Sequence, residues 1–182
     1  ASSLLTLDIG QVITEGEAAF GVNLTNGLGE ISGHIESIET LGDYSHGLSV
    51  GQQDGVTDLT LGSVVTRGQE SVGVSVGIEA GEVSILTNAL STYGDYAHGA
   101  LLSMYGGSAD LAFNTVTTEG ERALGMALRG FAGEGMLRAN SVTTTGEGAH
   151  GVALAGDDDM RMTAELGTVT TSGDGAHAVT TS

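Results

Sequence analysis

Val142-Thr143-Thr144-Thr145-Gly146-Glu147-Gly148-Ala149-His150-Gly151-Val152 is one copy of a pattern that fills the chain. Its Thr-x-Gly triplet recurs with glycines at Gly16, Gly42, Gly68, Gly94, Gly120, Gly146 and Gly173, which are 26 apart five times and 27 apart once. A second glycine stands five residues later, at Gly21, Gly47, Gly73, Gly99, Gly125 and Gly151. A third lies thirteen after the first, at Gly29, Gly55, Gly81, Gly107 and Gly133. The chain has 182 residues, seven times 26. A fixed period of this size marks a solenoid or an array. The one extra residue is expected within Asp157-Asp158-Asp159, because a polar turn absorbs an insertion most cheaply.

Within each repeat the apolar residues alternate. Val12, Ile38, Val64, Leu90, Val116, Val142 and Val169 form a column before the first glycine. Leu48 and Val50, Val74 and Val76, Met126 and Leu128 follow it, and Val83 with Ile85 or Leu111 with Phe113 come after the third. A spacing of two is the strand period. Enrichment in Val, Ile and Thr agrees, and glycine punctuates the runs where the chain must bend. Each repeat therefore reads as three short strands joined by corners. One repeat cannot bury its apolar face alone, but stacked repeats can, each strand pairing in parallel with its equivalent one coil on. The expected fold is all-β: a right-handed parallel β-helix, or β-solenoid, of seven coils forming one domain over residues 1–182. With coils about 4.8 Å apart the rod would be roughly 34 Å long. A leucine-rich repeat is the rival; it needs a helix-spaced segment and a periodic Asn, and neither is evident in the pattern.

Composition removes several chemistries. There is no Cys, so disulfides, thiolate metal sites and cysteine catalysis are excluded. The formal net charge is -18, with Asp+Glu 23 against Lys+Arg 5. Such a chain repels nucleic acid and anionic membrane surfaces. No basic leader precedes an apolar stretch at Ala1, and no apolar run is long enough to span a bilayer.

The coil pattern Val-x-Thr-x-Gly-acid-x-Ala-x-Gly-Val, seen in residues 142–152 and again around Gly94-Asp95-Tyr96-Ala97-His98-Gly99, resembles the passenger domains of bacterial autotransporters and related large exported adhesins. The likeness covers the whole chain and is one of pattern and composition. It implies display at a bacterial cell surface, outside the cell, and selects no single activity. The membrane-inserting barrel that closes such proteins is absent from this sequence.

Parity assigns surfaces to the columns. The Thr column from Thr14 to Thr171 is expected inward at a corner, each hydroxyl bonded to backbone. The glycine column Gly21, Gly47, Gly73, Gly99, Gly125 and Gly151 is expected outward with Ser45, Ser71, Ala97 and Ala149, and reads either as corner geometry beside a turn or as a smooth packing face for a neighbouring solenoid or another protein. Glu17, Asp43, Gln69, Asp95, Glu121, Glu147 and Asp174 form an outward acidic column. It reads as a solubilising ladder or, since hard cations take carboxylate oxygens, as a weak calcium-binding one. His46, His98, His150 and His177 share a column at inward parity and are expected to be satisfied by backbone; metal ligation would want neighbours, and only His150 and His177 are on adjacent coils. Tyr44 and Tyr96 are expected outward at one corner, where they could stack on a sugar ring. A grid of outward Thr suited to ice is confined to late coils, at Thr115, Thr117, Thr143, Thr145, Thr168 and Thr170.

No catalytic constellation stands out. There is no Lys, and Arg67, Arg122, Arg129, Arg138 and Arg161 scatter over the columns. A nucleophile elbow and a phosphate loop are both absent. Neither end shows an amphipathic helix or a Pro-rich plug, so the chain is expected to be a segment of a longer protein or a subunit that stacks on copies of itself. The expected function is a non-enzymatic extracellular shaft or adhesin, without cofactor, whose partners are itself or another cell's surface. An end-to-end filament or biofilm-matrix subunit is the alternative, and an ice-binding or carbohydrate-acting β-helix the third.

Overall fold

The structure, a computed structural model, describes residues 3–182. Those residues form strands and corners only, with no helix among them. Long strands alternate with short ones. The long set is β1 (Leu4–Thr14), β3 (Glu30–Thr40), β5 (Val56–Thr66), β7 (Glu82–Tyr93) and β9 (Ser108–Glu119). The short set is β2 (Val22–Asn26), β4 (Leu48–Gln52), β6 (Val74–Ile78) and β8 (Ala100–Met104). In the later coils the two kinds run together as β10 (Met126–Thr145) and β11 (Val152–Ser172), and β12 (Val179–Thr181) closes the series.

Every pairing is parallel and joins equivalent strands of successive coils, such as Val64↔Leu90 and Val74↔Ala100. The offset is 26 until β10 meets β11. There Gly130↔Gly156 keeps it and Ala132↔Asp159 moves it to 27, so the extra residue lies in the acidic run Asp157-Asp158-Asp159, where the sequence places it, but as a bulge inside the continuous strand β11 rather than in a turn. The chain is a β-solenoid of about seven turns.

The three straight runs expected in each coil are present, but two of them join as one bent strand. Each long strand skips one ladder position at its bend: Ile35 pairs with Leu61 and Ser37 with Ser63, while Glu36 and Gly62 go unpaired. The following corner carries a left-handed residue in every repeat: Ala18, Tyr44, Glu70, Tyr96 and Arg122 at φ between 52° and 57°, then Gly148 and Gly175. Five non-glycine residues hold this conformation because their N–H groups donate to the coil above, as from Tyr44 to the Gln69 carbonyl at 2.9 Å.

The core is a set of stacked columns. Ile38, Val64, Leu90, Val116 and Val142 form one, and Leu59, Ile85, Leu111 and Leu137 another, all buried. Each such side chain contributes about 1.5–3 kcal/mol by leaving water. A third column runs Ile35, Leu61, Thr87, Phe113, Ala139, so the large ring sits between two small neighbours and packing density is kept. One polar knot is also buried. Asn26 Nδ2 donates to Thr57 Oγ1, and Thr57 Oγ1 donates to Gln52 Oε1 at 2.7 Å.

Candidate functional surfaces

The Thr-x-Gly corner is built by hydrogen bonds that repeat with the coil. Thr40, Thr66, Thr92, Thr118 and Thr144 are buried, as expected. Each hydroxyl donates to the carbonyl five residues on, for instance Thr40 to Ser45 at 2.8 Å and Thr92 to Ala97 at 2.8 Å. Thr14 does the same to Ala19. Ser45 and Ser71 supplement this in their coils by accepting the N–H of Ala19 and Ser45. Where Ala97, Ala123 and Ala149 take that place, the N–H turns back to Gly94, Gly120 or Gly146 in its own coil.

The glycine column is not a surface. Gly47, Gly73, Gly99, Gly125 and Gly151 are buried and Gly21 is half-buried. A Cβ on Gly47 would strike Val64 Cγ1 and the Gly73 carbonyl; one on Gly125 would meet Val142 Cγ1 and the Gly151 carbonyl. The column is needed so that the chain can approach its own core and the next coil, not a partner. The column lies inside rather than outside because alternation breaks twice at this corner. The left-handed residue at Tyr44 turns Ser45 inward, and Gly47 and Leu48 are then both buried in succession. What faces outward on the short strands is Ser49 and Ser75, Gly51 and Gly77, which carry no charge.

The same break reverses the histidine column. His46, His98 and His150 are half-exposed rather than inward. They are satisfied by backbone as expected: Nδ1 of His46 accepts from Val72 N–H at 3.1 Å, Nδ1 of His98 from Leu124 N–H at 3.0 Å, and Nδ1 of His150 from His177 N–H at 3.0 Å. Accepting at Nδ1 fixes the neutral Nε2–H tautomer. Desolvation lowers the pKa of His46 below its usual 6.5, and desolvation together with the Arg129 charge does so for His98.

The acidic column is outward and exposed at every member. Two of its carboxylates already accept backbone hydrogen bonds, Asp43 Oδ1 from Gln69 N–H and Asp95 Oδ1 from Glu121 N–H, both at 2.8 Å, and Glu121 Oε1 lies 3.6 Å from Arg122 Nε. Among the described residues no three acidic or histidine side chains gather closely enough to hold a metal ion. Tyr44 and Tyr96 do point outward, and the Arg122 guanidinium lies over the Tyr96 ring. Thr115–Ser141–Thr168 and Thr117–Thr143–Thr170 stand in register facing out, over those coils alone.

Two features escape a column-by-column reading. Asn88, Asn114 and Asn140 occupy the unpaired bend of successive long strands and form an amide ladder, Asn140 donating to Asn114 at 3.0 Å and Asn114 to Asn88 at 3.2 Å. A periodic Asn is therefore present after all; its 26-residue spacing was the available signal, diluted by Gly10, Glu36, Gly62 and Gly167 at the same place. The second is an aromatic pair: Tyr105 and Phe131 stack at 5.4 Å with rings 22° apart on one outer corner.

No known protein family, no curated protein and no solved structure matches the chain.

Proposed function

We propose that this chain is a non-catalytic, rigid stretch of an extracellular bacterial surface protein, acting as a shaft or adhesin that presents repeated columns at fixed spacing. The observation that carries this reading is the uninterrupted ladder: register is kept from β1 to β12 with a single one-residue adjustment. Continuous backbone pairing resists bending, and the short corners hold no inserted loop. The likeness to exported passenger domains supports the cell-surface setting. The test has two arms. Purified chain should image as dispersed, stiff rods, and antibody against it should label intact producing cells. Flexible or globular particles, or label only after lysis, would overturn the reading.

A further inference from the structure

We propose that the corner carrying Tyr105 and Phe131 is a binding site for a neutral saccharide. This goes beyond the shaft reading and does not depend on it. Tyr105 is 66% exposed and Phe131 59%, the two most exposed aromatic side chains among the described residues. They stack on one another across adjacent coils rather than folding onto the core. Beside them lies an open, mostly apolar hollow of about 560 Å³, lined also by Ser103, Arg129, Gly156 and Asp157. Tyr105 borders a second hollow of about 270 Å³ on its other side, where Gly51 and Gly77 form a bare floor flanked by Gln53 and Glu79. A Cβ on Gly77 would meet nothing within 4 Å, so that floor is open space.

Arg129 points to a ligand independently of the rings. Arg67, Arg122, Arg138 and Arg161 each lie within salt-bridge distance of a carboxylate. Arg129 does not, among the described residues, in a molecule of net charge -18. Its Nε donates to Ser103 Oγ at 3.1 Å, one coil away, which ties the guanidinium at one nitrogen and leaves its other donors without a hydrogen-bond partner among the described residues.

The chemistry of the hollow selects the ligand class. Ring faces match the apolar C–H face of a pyranose, and the free guanidinium and the Asp157 carboxylate supply a donor and an acceptor for its hydroxyls. The neighbouring run Asp157-Asp158-Asp159 and the overall negative charge repel uronic or sialic acids, so the sugar is uncharged. The two hollows follow each other along the stack, where successive coils are about 4.8 Å apart, close to the length of one sugar ring. A linear chain of several rings can therefore bridge them.

The test is NMR titration of the isotopically labelled chain with maltohexaose, cellohexaose and xylohexaose, and with an oligogalacturonate as the charged probe. The expected result is a saturable shift with at least one neutral probe, centred on Tyr105, Arg129 and Phe131. Tyr105→Ala and Phe131→Ala should each weaken it at least tenfold, Arg129→Ala several-fold, and Phe131→Tyr should retain it. Tyr44→Ala, on a different corner, should change nothing. Both ring residues are largely exposed, so their variants should keep the parent's circular dichroism. No saturable shift with any neutral probe at millimolar concentration overturns the proposal, as does tighter binding of the oligogalacturonate or full binding by Phe131→Ala.

Discussion

Thr87 and Phe113 are direct ladder partners on adjacent coils and both point into the core, at 0% and 3% exposure. The Phe ring takes the volume that the smaller Thr leaves. The Thr87 hydroxyl is buried there without a hydrogen-bond partner, alone among the described buried side-chain polar atoms. An unsatisfied buried hydroxyl costs about 1–3 kcal/mol. Thr87→Val keeps the shape and removes that cost, so thermal unfolding should shift up by a few degrees, worth about 1–2 kcal/mol. A lowered Tm would mean that the hydroxyl is satisfied.

Two glycines on the short-strand side of the coil should respond in opposite directions. At Gly99 a Cβ would strike the Gly125 carbonyl and come within 2.8 Å of Val116 Cγ1, so Gly99→Ala should cost about 1–3 kcal/mol through overpacking. At Gly77 there is open space and no left-handed backbone, so Gly77→Ala should gain about 0.5–1 kcal/mol by reducing unfolded-chain entropy. Paired denaturant melts of the two variants measure both signs. Equal behaviour would remove the distinction drawn between the buried column and the outer face.

Stability should fall in mild acid through the histidine corner. Folding lowers the pKa of His46 and His98, so between the folded value and 6.5 the unfolded chain binds more protons. Their contribution is present above pH 6.5 and is lost as pH falls through the folded values. Structurally, protonated Nδ1 can no longer accept from Val72 or Leu124 N–H. Melting followed between pH about 7.5 and about 5.5 should show the loss, and the double variant His46→Leu, His98→Leu should flatten the curve. An unchanged slope in that variant would place the acid sensitivity elsewhere.

The amide ladder has a direction. Asn88 serves only as an acceptor in it, whereas Asn140 only donates. Asn88→Asp should leave the melt nearly unchanged, and Asn140→Asp should cost about 0.5–1.5 kcal/mol. Equal losses would show that the amides run the other way or not at all.

Added salt should raise Tm by screening the charge of -18. At constant ionic strength a chelator should not move it, since Asp43 and Asp95 already spend an oxygen on backbone and no trio of acidic or histidine ligands gathers among the described residues. A chelator-sensitive melt would return calcium to the acidic column.

The glycine period made the solenoid legible, because register in a stack of identical coils is itself a sequence property. The inward Thr column was legible for the same reason, and so was the inserted residue beside Asp157. Surfaces past the corner were not. Alternation predicts faces only along an extended run, and Tyr44 and Gly47 each interrupt it, which exchanged the glycine and histidine columns between inside and outside. Tyr105 and Phe131 are 26 apart and could have been found, but the same place in earlier coils holds Gly27, Gln53 and Glu79, so no column announced them. Arg129 is distinguished only by what it lacks, a property visible in three dimensions alone.

The one-residue adjustment opposite Gly130 has a practical meaning. The ladder resumes at Ala132↔Asp159 without disturbing the columns on either side. The residue count at this bulge is thus decoupled from the stack, and Asp157 within it borders the hollow beside Phe131. Grafting a longer segment at Asp158 should let the rim of that hollow be redesigned, or varied between lineages, while the scaffold stays unchanged.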